Sequence, residues 1–481
     1  MAQKLTHLKP NHLWKYFEAI SQIPRCSRHE EGVIAYLEKL AESTGHVCRK
    51  DEAGNIVIEV PATPGHENAR TVVLQGHMDM VCEKNSDKDF DFAKDPIEVL
   101  IDGEWVTANG TTLGADNGIG MAAALAAMED QSLVHGPLEL LFTVDEETGL
   151  NGAMALESSF LHGRVLLNLD SEEEGTFSIG CAGGRGTQIA LPLTRKEVTG
   201  GTTYQVMVGG LRGGHSGMDI NTGRGNAIQL LARMLHALPM GFKLIALDGG
   251  SKHNAIPREA VATVRLLENE VETFKRQITE RFEQIRFEYK AVEKEAALKI
   301  EEAEDNRAPL DDVTRRKLLS LLVAMPHGVQ AMSQEIEGLV ETSTNMAIVK
   351  TLDDKTTLFS STRSSIATAL EAVCDKIRSC ADLAGGVFEK FEGYPAWTPN
   401  LESPLLGTMK KVYLAQTETD PGVIAIHAGL ECGIIGEKFP GMDMISFGPD
   451  LNNPHSPDEC VHIGSVERFW NLLAATLKEL A

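Results

Sequence analysis

The chain has 481 residues, 42% of them apolar, more than a single compact core absorbs, so two domains are expected. A formal net charge of −24 argues against a protein that grips nucleic acid through its phosphates, and no apolar run is long enough for a transmembrane helix. The opening "MAQKLTHLKPNHLWKYF" lacks the apolar stretch of a secretory signal. Eight scattered cysteines with no C-x-x-C pair read as reduced thiols of a cytoplasmic protein.

In chain order, the first 180 residues alternate short apolar runs with helical patterns, the rhythm of a mostly parallel sheet flanked by helices. "TVVLQ" (71–75), "LELLFTV" (138–144) and "VLLNL" (165–169) are the clearest strands, and their unbroken Val and Leu content suits strands buried on both faces. Between the first two lies "GIGMAAALAAMED" (118–130), an Ala-rich helix; between the second and third lies the shorter helical "GAMALESSF". Right-handed crossovers place the three strands in one sheet, pointing the same way.

Near residue 185 the texture changes. "TYQVMVGG" alternates as a half-exposed strand, "GRGNAIQLLARMLHAL" reads as a helix and "AVATVRLLEN" as a strand. The 265–300 region is charged and reads as helical. "GLVETSTNMAIVKTLDD" and "TTLFSSTRSS" read as strands, followed by the helix "IATALEAVCDKIRSCADLAG". Two strand–helix–strand blocks hint at a duplicated α+β unit, although no sequence repeat accompanies them. The last 85 residues return to the first pattern, with a helix around 405–416, the strand "GMDMISFGPD" and a final helix.

Each early strand runs into chemistry. The first is followed by His77 and Asp79, the second by Asp145, Glu146 and Glu147, the third by Asp170. Ligands of an open α/β sheet bind outside the carboxyl ends of its strands, so these groups converge on one edge. Asp116 joins them from the Gly-rich turn "TTLGADNGIG". Singly each has an ordinary explanation: an H-x-D spacing is common, tandem acids favour a helix start, and Asp170 could be an N-cap. Together they would repel one another strongly unless cations cancel the charge. A pair of divalent metals needs this mixture of His, Asp and Glu, and a short side chain such as Asp116 suits the bridge.

With "GHMDMV", "TTLGADNGIGMA", "VDEETGLNGA", "LNLDSEE" and "NPHSPDE" in this order, the chain resembles the di-zinc exopeptidases of the aminoacylase/carboxypeptidase superfamily, and most closely the aminoacyl-histidine or cytosol non-specific dipeptidases. The resemblance extends to "IPRCSRHEEG" and "HAGLECG". It implies His77 and Asp170 on one metal, Glu147 and His455 on the other and Asp116 between them, with Asp79 orienting His77 and Glu146 as general base. The ions would be zinc, with manganese or cobalt as alternatives. It implies a discontinuous catalytic domain (1–185 and 396–481) and an inserted α+β lid or dimerisation domain (186–395). In the latter, His215 would contact the scissile carbonyl oxygen, and Asn254 and Arg363 the C-terminal carboxylate of a dipeptide. Glu431 is a candidate for the substrate's amino group or a buried structural acid; His427 has no assignment. The implied activity is hydrolysis of dipeptides, Xaa-His such as carnosine included, by a cytoplasmic homodimer that binds neither nucleic acid nor membrane. An N-acyl-amino-acid amidohydrolase, a carboxypeptidase and a non-catalytic metal scaffold remain the alternatives.

Overall fold

The computed structural model describes residues 4–239 and 241–481. They form two compact units. The first comprises the chain up to Cys181, Trp397–Ile426 and Leu430–Ala481; the second comprises Ala182–Ala396 and His427–Gly429. The three-residue segment at 427–429 thus belongs to the second unit, although it lies within a stretch expected to be wholly catalytic.

The first unit is built on an eight-stranded sheet in the order Val47–Lys50, Ile56–Val60, Leu138–Thr143, Val72–His77, Val165–Asn168, Asp443–Ser446, Thr176–Cys181, Gly422–Ile426. The four strands from Leu138–Thr143 to Asp443–Ser446 are mutually parallel, as expected for the first three of chain order. Every residue of Val72–His77, Leu138–Thr143 and Val165–Asn168 is buried, which is why these segments carry no alternation. The helix Ala115–Glu129 is buried almost throughout. Its alanines let it lie closely on the sheet, and it begins beside the ends of the parallel strands. A separate small sheet pairs Leu451–Asn452 with Cys460–His462, and the latter with Trp105–Ala108, so the loop between them is held at both ends.

The second unit has a nine-stranded sheet in the order Ala297–Glu302, Thr202–Gly209, Ala260–Leu266, Lys243–Gly249, Val340–Thr351, Lys355–Ser364, Gly183–Pro192, Val387–Tyr394, with Gly328–Met332 added on Val340–Thr351. Its chain path contains the same β-α-β-β-α-β motif twice. Thr202–Gly209, helix Ala227–His236, Lys243–Gly249, Ala260–Leu266, helix Val271–Glu288 and Ala297–Glu302 make one copy. Gly183–Pro192, helix Asp312–Ala324, Val340–Thr351, Lys355–Ser364, helix Ala367–Ala384 and Val387–Tyr394 make the other. Each copy places its strands in the order fourth, first, third, second, and the former is inserted between the first strand and first helix of the latter.

Two expectations need correction. The charged region 265–300 is not helical throughout: the helix ends at Glu288, and Ala297–Glu302 is a strand against Thr202–Gly209. Its charges reflect an edge position at the end of the sheet, where polar side chains meet solvent. Nor are all the cysteines free thiols. Cys26 and Cys82 are joined in a disulfide, and the other six are free. The pair lies 56 residues apart in sequence and is brought together because Cys26 bridges Met80, just beyond the strand Val72–His77. No local spacing announces such a contact.

Candidate active site

The ends of the three parallel strands carry the site. His77 closes its strand and is 1% exposed. Its Nε2 lies 3.0 Å from Asp116 Oδ1 and 3.4 Å from Asp170 Oδ1. His455 approaches the other side of the same carboxylate, with Nε2 3.1 Å from Asp116 Oδ2 and 3.0 Å from Glu147 Oε2. Two ligand sets result, His77–Asp116–Asp170 and Asp116–Glu147–His455, each with its donor atoms within 4.8 Å of one another. Asp116 belongs to both, offering one oxygen to each. Glu146 offers an oxygen within 4.8 Å of His77 and Glu147 ligand atoms, yet belongs to neither of these sets.

Three groups hold the loops in place. Asp79 accepts hydrogen bonds from the Glu146 and Glu147 amides at 3.0 and 3.2 Å and from Ser27 Oγ at 2.7 Å, so its carboxylate fixes the turn that carries both glutamates. The Nδ1 of His77 points at Asp79 twice, 3.1 Å from its backbone carbonyl and 3.4 Å from Oδ1. Such a contact orients an imidazole and leaves Nε2 free for a ligand. Glu459, 1% exposed, accepts four successive backbone amides, Leu113 to Asp116, at 2.7–3.2 Å. Arg25, 2% exposed, donates to the carbonyls of Met78 and Asp79 at 3.0 and 2.8 Å and to that of Gly114. Gly114 has φ 69°, and a Cβ there would stand 2.6 Å from the Arg25 guanidinium, so neither its conformation nor its space admits a side chain.

The sequence alone carries no signal for the roles of Arg25, Ser27 and Glu459. Glu459 sits in the quoted "NPHSPDE", but its partners are backbone groups more than 300 residues earlier, which no pattern reveals. Its removal is expected to leave four buried N–H groups without an acceptor. Glu459→Ala should therefore cost about 3 kcal/mol or more, read as a lowered urea midpoint. Glu459→Gln, which keeps one acceptor oxygen, should cost less.

The electrostatics describe a site short of positive charge. Burial pushes the Asp170 carboxyl up to about 7, with Asp116 and Glu147 adding to the rise against His77. Burial also raises Glu146 well above the usual carboxylate range. His455 is raised to about 11 by its hydrogen bonds to Asp116 and Glu147. Burial opposes a proton on His77, but the charge of Asp170 and contacts to Asp116 and Asp79 hold its pKa well above the ordinary value. Left to themselves, the two imidazoles take protons to balance the acids.

Divalent cations fit this arrangement better. Glu147 Oε1 is buried without a hydrogen-bond partner, and Asp170 Oδ1, also buried, meets only the His77 ring nitrogen at 3.4 Å. The donors are imidazole nitrogens and carboxylate oxygens, the set that zinc and its neighbours accept. His455 holds φ at 61° and Asp145 at 49°, a left-handed backbone that costs roughly 1–3 kcal/mol per residue and gathers at functional sites.

Comparison with known proteins identifies the family of the chain. Residues 73–479 match the model of peptidase family M20/M25/M40. The chain belongs to that family. It is 43% identical over 480 residues to the cytosol non-specific dipeptidase of Escherichia coli K12, with 99% of each chain covered. The crystal structure of aminoacylhistidine dipeptidase from Vibrio alginolyticus superposes with a TM-score of 0.93 at 42% identity, covering 99% of this chain and 98% of that one. The aminopeptidase PepT of Bacillus cereus shares the fold at a TM-score of 0.57 and 16% identity, covering 98% of this chain and 99% of that one. Membership makes the chain a metal-dependent peptidase with the exopeptidase fold anticipated from its motifs.

The structure brings His77, Asp79, Asp116, Glu146, Glu147, Asp170 and His455 together in the first unit. Glu431 is also there, 1% exposed, with Oε2 accepting from Gln75 Nε2 at 2.6 Å and Thr143 Oγ1 at 2.8 Å, while Oε1 has no partner. His215, Asn254 and Arg363 lie in the second unit. The strand pair Gly214–His215 and Ala255–Ile256 sets His215 opposite Ala255, next to Asn254. The Nδ1 of His215 accepts the amides of Gly217 and Met218 at 3.3 and 3.1 Å, so in the neutral ring the proton sits on Nε2. Burial and the nearby Arg363 charge lower the pKa of His215 and favour that neutral form.

Proposed function

We propose that the chain is a dipeptidase of broad specificity that also takes Xaa-His substrates such as carnosine and works in the cytoplasm. The observation that carries this reading is the end-to-end likeness, at 43% identity, to a cytosol non-specific dipeptidase. We assign His77 and Asp170 to one divalent cation, Glu147 and His455 to a second, and Asp116 to both, with zinc as the first candidate and manganese or cobalt as alternatives. When bound, such a pair supplies Lewis-acid polarisation of the peptide carbonyl and a more acidic water.

The remaining chemistry falls to side chains of this protein. Glu146 takes the proton of the attacking water as its oxygen adds to the peptide carbon. As the C–N bond breaks, Glu146 passes that proton to the leaving amine. Its place beside His77 and Glu147, outside the two sets that share Asp116, suits both halves of the task. His215 donates its Nε2–H to the carbonyl oxygen as negative charge develops there. Asn254 and the guanidinium of Arg363 take the C-terminal carboxylate. Glu431 Oε1 is the acceptor assigned to the substrate's free amino group. The second unit is assigned as lid and dimerisation domain of a homodimer, supported by the exposed Leu383 near the end of helix Ala367–Ala384 and Val387 on the edge strand that follows.

The test is a panel of carnosine, Ala-Ala, N-acetyl amino acids and tripeptides, run on enzyme stripped and reloaded with zinc, manganese or cobalt. Dipeptides should be hydrolysed and the others left nearly untouched. Preference for N-acetyl amino acids would overturn the reading. Arg363→Ala should raise KM for Ala-Ala by about 10- to 100-fold, the loss of a hydrogen bond to a charged group, while the Ki of the corresponding dipeptide carboxamide stays near its wild-type value.

A further inference from the structure

The second unit gathers more polar chemistry than His215, Asn254 and Arg363 use. Ser343 and Arg363 stand opposite each other on neighbouring antiparallel strands, so their side chains share one face of the sheet. Ser343 Oγ lies 2.7 Å from Nε2 of His427. The backbone around His427 is fixed in this unit. The Ala182 amide donates to the Ala428 carbonyl at 3.1 Å, and Gly217 packs so closely that a Cβ on it would stand 2.3 Å from the His427 carbonyl oxygen.

Within this constellation several buried polar atoms have no partner. His427 is 6% exposed, and its Nδ1 makes no hydrogen bond. Arg363 is 8% exposed; its Nε makes none, and its Nη1 donates to a phenol, Tyr394 Oη, at 2.8 Å rather than to a carboxylate. On the same strand as Ser343 and two residues on, Asn345 donates from Nδ2 to the Ala255 carbonyl at 2.8 Å and leaves Oδ1 without a partner. Such an atom is costly to bury, and a cluster of them is explained by a polar ligand that completes the bonds. A guanidinium without a carboxylate at its tip makes that ligand an anion.

The ring of His427 is suited to donate without charge. Burial, with the charges of Arg363 and His215 and against a contact to the Val340 backbone, lowers its pKa to about 4, so near neutral pH it carries one N–H. A serine hydroxyl can donate to Nε2 or accept from it; when Ser343 donates, the ring proton sits on Nδ1.

We propose that His427 is a specificity-determining residue whose Nδ1–H donates to the substrate's C-terminal carboxylate beside Arg363, held in that tautomer by Ser343. This rests on the dipeptidase reading above. It adds to that reading an uncharged donor that distinguishes a carboxylate, which accepts at both oxygens, from a carboxamide.

Two variants separate the ring nitrogens. In His427→Asn the amide nitrogen takes the place of Nδ1; in His427→Gln it takes the place of Nε2. KM for Ala-Ala and Ki for its C-terminal carboxamide are measured for both, with Arg363→Ala alongside. His427→Gln is expected to raise KM on the order of 10-fold, with the carboxamide Ki nearly unchanged and the loss falling on KM rather than kcat. His427→Asn is expected to stay within about threefold of wild type. The unchanged carboxamide Ki serves as the control that the unit is folded. A His427→Gln enzyme with wild-type KM, or Asn and Gln variants alike in effect, would overturn the assignment. If Arg363→Ala also leaves KM unchanged, the carboxylate reading itself falls; if only the His427 variants do, that reading stands and His427 is removed from it.

Discussion

Replacing Glu146 by alanine is expected to lower kcat by about 10²- to 10⁴-fold while metal content and KM stay near wild type. The reason lies in where Glu146 stands. Its backbone amide is held by Asp79, and its side chain lies beside His77 and Glu147 without entering either of the two sets that share Asp116. Removing its carboxylate therefore takes away a proton carrier and leaves the ligands in place. Elemental analysis of the purified variant and steady-state kinetics on Ala-Ala check the two halves separately. A variant that is inactive and metal-poor would make Glu146 a ligand; one that is metal-replete and active would remove it from the reaction.

The second large effect is expected at Asp116. Its two oxygens serve opposite sides of the site, 3.0 Å from His77 and 3.1 Å from His455. Asp116→Ala should therefore strip metal from both positions and abolish activity, whereas His455→Ala should deplete one. After dialysis against metal-free buffer, the expected contents are near zero for Asp116→Ala, about one ion per chain for His455→Ala and about two for the unaltered enzyme, the stoichiometry of a two-metal centre. Equal retention by the two variants would refute a shared carboxylate. The opposite order would refute it too.

The catalytic layer was legible because its logic is local. Parallel strands buried on both faces spell themselves in Val and Leu, and their carboxyl ends are where His77, Glu147 and Asp170 follow directly. The supports were not legible in the same way. Arg25 and Glu459 act on backbone carbonyls and amides of distant segments, and a backbone group leaves no trace in composition. Cys26 and Cys82 met through a tertiary contact. Ala297–Glu302 hid behind its charges because an edge strand with few apolar residues resembles a solvated helix. The twofold β-α-β-β-α-β path of the second unit is a matter of strand order, and strand order can repeat when sequence does not. His427 was visible as a residue but not as a member of a site, because its partner Ser343 lies 84 residues earlier.

The span between Asp116 and its C-terminal partners has a consequence for biosynthesis. His455 and Glu459 follow Asp116 by 339 and 343 residues. A chain made from its N-terminus onward has long since presented His77, Glu147 and Asp170 before either arrives. Until then the amides of Leu113 to Asp116 have no carboxylate to receive them, and one of the two candidate ligand sets lacks its imidazole. Assembly of this site thus waits for synthesis to pass residue 459, and a nascent chain stalled before that point holds the acids without their support.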